Sequence, residues 1–91
     1  MNTLQFTQKN GIWESSEFTV SGDFNLHIER ATASRFKLMQ KTSGTNFANV
    51  LESTAYHNEA VIDVDVQVLV PKTFKAISHT EVKEAFYEES L

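Results

Sequence analysis

The stretch Ala60-Val61-Ile62-Asp63-Val64-Asp65-Val66-Gln67-Val68-Leu69-Val70 decides the fold, because its apolar residues recur at every second position. Ile62, Val64, Val66, Val68 and Val70 make one set, and Asp63, Asp65 and Gln67 the other. Only a β-strand, whose successive side chains point to opposite faces, separates two sets at that spacing. One face is then buried and the other wet, which is the pattern of antiparallel sheet in sandwiches and small barrels. Replacing Val66 with Asp is therefore expected to unfold the chain, by forcing a charge into the buried face.

The same alternation recurs on either side. Phe24, Leu26 and Ile28 alternate with Asn25, His27 and Glu29, and Phe36, Leu38 and Gln40 with Arg35, Lys37 and Met39. These runs predict strands over 24–30 and 35–41, joined as an antiparallel hairpin through residues 31–34. Asn10-Gly11 suits the tight primed turn of a hairpin, pairing 4–7 with a strand that opens at Ile12. The first of these two strands is expected at a sheet edge. Ile12, Phe18 and Val20 share parity while Trp13 lies opposite, so a bulge or bend is expected near Ser15-Ser16. Thr73 to Ser78 reads as a further strand begun after Pro71.

Two segments admit two readings. Phe47, Val50, Leu51 and Thr54 have helical spacing, whereas Phe47, Asn49 and Leu51 fit a strand, which is the reading adopted. Ser78 followed by Glu81 resembles a helix capping box, with Val82, Ala85 and Phe86 as the stripe behind it. Alternatively Val82, Glu84 and Phe86 form one face of a strand that closes the sheet beside 73–78. This second reading is the one adopted.

Ninety-one residues with one set of alternating runs make a single domain, 1–91. At 41% hydrophobic and 22% charged the composition is that of a folded chain, and seven Phe supply core volume. The expected architecture is one all-β antiparallel sandwich of about seven strands, immunoglobulin-like or jelly-roll-like, with its core on Phe24, Leu26, Ile28, Phe36, Leu38 and the even positions of 62–70.

The chemistry available is narrow. The chain has no cysteine, so disulfides, thiolate metal sites and thiol nucleophiles are excluded. A net charge of −4 argues against a general nucleic-acid binder. The basic residues Arg30, Arg35, Lys37 and Lys41 are read as the solvated face of two strands. No glycine-rich phosphate loop, nucleophile elbow or Ser-x-x-Lys motif occurs, so no enzyme activity and no cofactor are expected. Asp63 and Asp65, two apart on a strand, place their carboxylates about 7 Å apart on one face. A hard cation needs more oxygens than that, so they are read as solubilising residues and only secondarily as ligand groups, with no metal expected. His27, His57 and His79 lack metal-ligand spacing. Trp13, with Phe18 or with Tyr56 and Tyr87, is either core or an aromatic platform for a sugar ring. No basic, apolar leader opens the sequence and no run reaches the ~20 apolar residues of a membrane span, so cytoplasmic synthesis and no membrane association are expected.

In its rhythm the chain resembles small β-rich structural proteins of phages and prophages of gut Bacteroidetes. The resemblance is carried by Gly11-Ile12-Trp13-Glu14-Ser15-Ser16, by Ser21-Gly22-Asp23-Phe24-Asn25-Leu26-His27-Ile28-Glu29-Arg30, and by Ser78-His79-Thr80-Glu81-Val82-Lys83-Glu84-Ala85. It implies a capsid-, fibre- or tail-associated module, a homo-oligomer that contacts itself or other virion proteins, with no catalytic residues. The alternative function is a carbohydrate-binding sandwich using Trp13 and the Asp63/Asp65 face.

Overall fold

A computed structural model describes residues 1–90, apart from the side chains at positions 51 and 52. Among the described residues ten strands form two antiparallel sheets packed face to face, an all-β sandwich. The strands are β1 (Asn2–Thr3), β2 (Phe6–Lys9), β3 (Ile12–Ser15), β4 (Phe18–Val20), β5 (Phe24–Arg30), β6 (Phe36–Ser43), β7 (Asn46–Asn49), β8 (Val61–Val66), β9 (Lys72–Ser78) and β10 (Val82–Glu89). One sheet, called A here, has the order β1-β10-β5-β8. The other, sheet B, runs β2-β3-β9-β6-β7, with β4 pairing β9 beyond the end of β3. No helix among the described residues is long and apolar enough to cross a membrane.

Several local expectations are met for the reasons that motivated them. Asn10 and Gly11 both take positive φ, 53° and 77°, which is what a two-residue primed turn requires. They pair Lys9 with Ile12 and Phe6 with Ser15, leaving β2 at the edge of sheet B. The expected irregularity at Ser15-Ser16 is a full break. β3 pairs with the end of β9 at Ser78 and β4 with its beginning at Phe74, and between them the buried Ser15 Oγ accepts the Ala76 N–H at 2.8 Å. Residues 82–89 are strand, not helix.

Strand partners differ from expectation. β5 and β6 are not a hairpin, since β5 lies in sheet A between β10 and β8 while β6 lies in sheet B between β9 and β7. Each carries an apolar inward run, Phe24, Leu26 and Ile28 against Phe36 and Leu38. Placing the two in opposite sheets lets those faces bury each other, whereas adjacency in one sheet would set them side by side. β10 likewise pairs β5 and β1, not β9, with a bulge between Val82 and Glu84 that brings Ala85 and Tyr87 to the inner face. The segment after β7 turns into a 3-10 helix, Leu51–Tyr56, where a strand was expected to continue.

The valine run is strand only as far as Val66. Ile62 is fully buried and Val64 and Val66 pack partly against the core, but the chain then leaves the sheet. Asp23 Oδ1 takes the Val68 N–H at 2.7 Å, holding Val68 inward while Leu69 and Val70 project at 88% and 57% exposure. Val70 is thus outside the core to which its parity assigned it. Pro71, with no N–H to donate, marks the point where the chain re-enters sheet B as β9.

The core is led by the rings of Phe18, Phe24, Phe74 and Tyr87. Phe18 stacks on Tyr87 at 4.6 Å between centroids and meets Phe24 edge-on at 5.7 Å. Aromatic geometry of this kind adds about 0.5–1.5 kcal/mol per pair beyond burial.

Arg30 overturns the reading of the basic cluster. It has the same parity as Ile28 and Leu26, so it points between the sheets and is only 4% exposed. Its guanidinium donates to the Ser34 carbonyl (3.0 Å), the Tyr56 carbonyl (3.2 Å) and the Glu59 carbonyl, and lies 5.7 Å from the centre of the Phe36 ring. Burial pulls its pKa down, but an arginine remains charged at any physiological pH. Arg35 and Lys41 are exposed as expected.

Candidate functional site

The register of sheet A assembles one polar constellation that no sequence spacing displays. His27 on β5 stands opposite Phe86 on β10 and opposite Asp63 on β8, and Asn25 stands opposite Asp65. The His27 Nδ1 lies 3.0 Å from Asp63 Oδ2 and its Nε2 lies 3.0 Å from Glu29 Oε2, while the ring stacks on Phe86 at 4.7 Å. Asn25 donates to both Asp63 Oδ1 (2.8 Å) and Asp65 Oδ1 (3.1 Å). Asp63 and Asp65 therefore share one face, as their spacing requires, and share one amide between them. Glu84 and Glu88 complete the same face from β10, opposite Glu29 and Asn25.

Only the imidazolium donates from both nitrogens at once, so two flanking carboxylates favour the charged ring. The hydrogen bonds to Glu29 and then Asp63 accordingly raise the His27 pKa above its ordinary 6.5, against the opposing effect of burial. Glu29 is lowered from 4.5, chiefly by His27, and Asp63 from 3.8, by Asn25 and then His27. A raised histidine contributes stability that is complete below its unfolded pKa and is lost as pH rises through the folded value. Lowered carboxylates contribute stability that is complete above their unfolded values and is lost as pH falls through the folded ones. The cluster thus supports the fold most between about pH 4.5 and 6.5. Melting temperature followed across pH is expected to decline above that window, and the decline to flatten in His27→Gln. An NMR titration placing the His27 pKa at or below 6.5 would reject this account.

The opposite side of β8 borders a cleft of about 300 Å³ between the two sheets. Val64 and Val66 line it from sheet A, Phe36 and Leu38 from sheet B, and Val50 and Tyr56 from the segment that carries the 3-10 helix. Arg30 holds that segment in place through the Tyr56 and Glu59 carbonyls. Ser53 also lines the cleft, and among the described residues its buried hydroxyl has no hydrogen-bond partner. β8 itself ends sheet A and, among the described residues, pairs only with β5, which leaves its outer edge without a backbone partner.

Trp13 is not part of this constellation. It sits half-buried on β3 in sheet B, opposite Gln8 and Ser78, whereas Asp63 and Asp65 lie on sheet A. Phe18 and Tyr87 are in the aromatic core, and Tyr56 is packed against the core beside the cleft. Among the described residues no group of three or more His, Asp or Glu is placed to hold a metal ion. His57 instead bonds the Phe36 carbonyl at 2.7 Å, and His79 is exposed.

Sequence reasoning named Asp63 and Asp65 but missed His27, Arg30 and Ser53. His27 had the right parity to face Asp63, and a β5–β8 pairing would have revealed it. Nothing local marked Ser53. No protein-family model, curated protein or solved structure matches this chain.

Proposed function

We propose that this protein is a non-enzymatic structural or assembly module, of the kind found in phage and prophage particles, that works through contacts with itself and with other components of the particle. The observation that carries this reading is the β8 edge. A six-residue edge strand with unpaired backbone groups, exposed Val61, and exposed Leu69 and Val70 just beyond it is the kind of surface that folded proteins otherwise shorten or cover. Pairing with another chain is one way to cover it, and symmetric assemblies do so with repeated use of the same patch.

Absolute mass by light scattering over a concentration series tests the self-association part. A defined trimer, pentamer or higher ring supports it. A monomer at all concentrations, together with no partner recovered from particles, would replace this function with ligand binding. The carbohydrate-binding alternative predicts glycan-array signals that vanish in Trp13→Ala.

A further inference from the structure

The backbone of β8 has a definite polarity across its width. The Arg30 N–H donates to the Ala60 carbonyl at 2.9 Å, so Arg30 and Ala60 form a hydrogen-bonded pair. In an antiparallel ladder such pairs alternate with non-bonded ones. The N–H and C=O groups of Ile62 and Val64 therefore turn toward β5, and those of Val61, Asp63 and Asp65 turn toward the open edge. A strand added there finds three residues ready to pair with it.

The side chains of such a strand would alternate between two very different surroundings. Those level with Val64 and Val66 enter the cleft between the sheets. Its volume, about 300 Å³, lies at the lower limit of the ~300–1,000 Å³ typical of small-molecule pockets, and Val64 and Val66 of β8 line one side of it. It suits a few apolar side chains delivered by a strand better than a whole small ligand. Ser53 borders the cleft, and among the described residues its buried hydroxyl has no hydrogen-bond partner. Side chains level with Asp63 and Asp65 face outward beside both carboxylates, with Glu29, Glu84 and Glu88 on the same face. Opposite charges at adjacent strand positions attract and like charges repel.

The same charges exclude most copies of this chain as the occupant. A second β8 would set Asp63 and Asp65 beside their own counterparts. In a second folded copy β1 is two residues long, β7 carries no basic residue and β2 carries only Lys9. The strands that do alternate apolar with basic side chains, β6 and β9, are paired on both sides within sheet B.

We infer that the β8 edge and its cleft accept an extended segment of a different protein, one that alternates apolar residues with Lys or Arg. This rests on the assembly reading and names the partner chemistry at one of its surfaces. Main-chain pairing supplies the attachment and the alternating side chains supply the selectivity.

The test uses the intact protein and a fluorescein-labelled heptapeptide that alternates Val and Lys, followed by anisotropy. Saturable binding is expected, and a block peptide of the same composition should bind at least tenfold more weakly. Val61→Pro removes an edge-facing N–H without touching either aspartate or the β5 ladder, and is expected to weaken binding at least tenfold while the circular dichroism stays native. Asp65→Lys should weaken the Val/Lys peptide similarly and admit a Val/Glu peptide that the parent protein rejects. Equal binding of alternating and block peptides, full binding by Val61→Pro, or no binding by the parent protein would each overturn the inference. The mass measurement stands apart: a defined oligomer that binds no peptide sinks the strand acceptor and leaves the assembly reading standing. A monomer that binds the alternating peptide sinks self-association alone.

Discussion

Ile62→Asp is expected to abolish the folded state, while Val66→Asp leaves a folded protein. Both residues belong to the same alternating face of β8, and parity alone made Val66 the sensitive position. Ile62 is fully buried opposite the equally buried Ile28, between two sheets with no route to water. A carboxylate there loses its hydration with no cation to replace it, costing several kcal/mol, and the lost isoleucine packing adds about 2–5 kcal/mol more. Together these approach or exceed the roughly 5–15 kcal/mol that stabilises a typical domain. Val66 borders the open cleft and is half-buried, so an aspartate there reaches water and the expected loss is about 1–2 kcal/mol. Urea denaturation followed by circular dichroism separates the two. A native-like midpoint for Ile62→Asp would show that the inner face of β8 is misassigned.

Arg30→Met is the second substitution with a large expected effect. The methionine fills much of the same space but donates nothing, leaving the Ser34, Tyr56 and Glu59 carbonyls without their charged partner. Hydrogen bonds to a charged group contribute about 1.5–3 kcal/mol each, and three on one guanidinium are not independent, so a loss of about 3–5 kcal/mol is expected. Removing the buried charge and its unpartnered Nε offsets part of this. The loss should be local before it is global. Amide exchange at Ser53, His57 and Glu59, whose N–H groups bond within the segment that Arg30 pins, is expected to accelerate more than exchange in β5 or β9. Uniform acceleration across both sheets would mean that Arg30 supports the sandwich generally and not this segment. The same variant should weaken any ligand that uses the cleft, because Val50, Ser53 and Tyr56 form one of its walls.

Strand identity was legible wherever the period of two was unbroken. Phe24 to Arg30, the start of the valine run, Thr73 to Ser78 and the Asn10-Gly11 turn all follow from local side-chain alternation or local backbone preference. The same rule hid Arg30. It continues the inward parity of Phe24, Leu26 and Ile28, yet its charge suggested the surface, and only the three carbonyls supplied by two other segments make its burial tolerable. The end of β8 was hidden for a related reason. Val68 and Val70 keep the alternation, but the Asp23 carboxylate, 45 residues away from Val68 in the chain, captures the Val68 N–H and turns the chain out of the sheet.

Local order along the chain set the material of the fold: strands with one apolar face, the turn at Asn10-Gly11, an acidic pair on the wet side of β8, and the lack of thiol chemistry. Alternation and turn geometry depend on near neighbours, so they can be read without knowing what lies across the core. Packing between the sheets selected which strands are neighbours. β5 and β6 went to opposite sheets because their apolar faces bury more completely against each other than side by side. That choice set His27 against Asp63, left β8 with a free edge, and opened the cleft beside it. Each of these depends on contacts between residues distant in the chain, and the hydrophobic drive that brings them together is non-directional, so many pairings satisfy the same pattern until packing selects one.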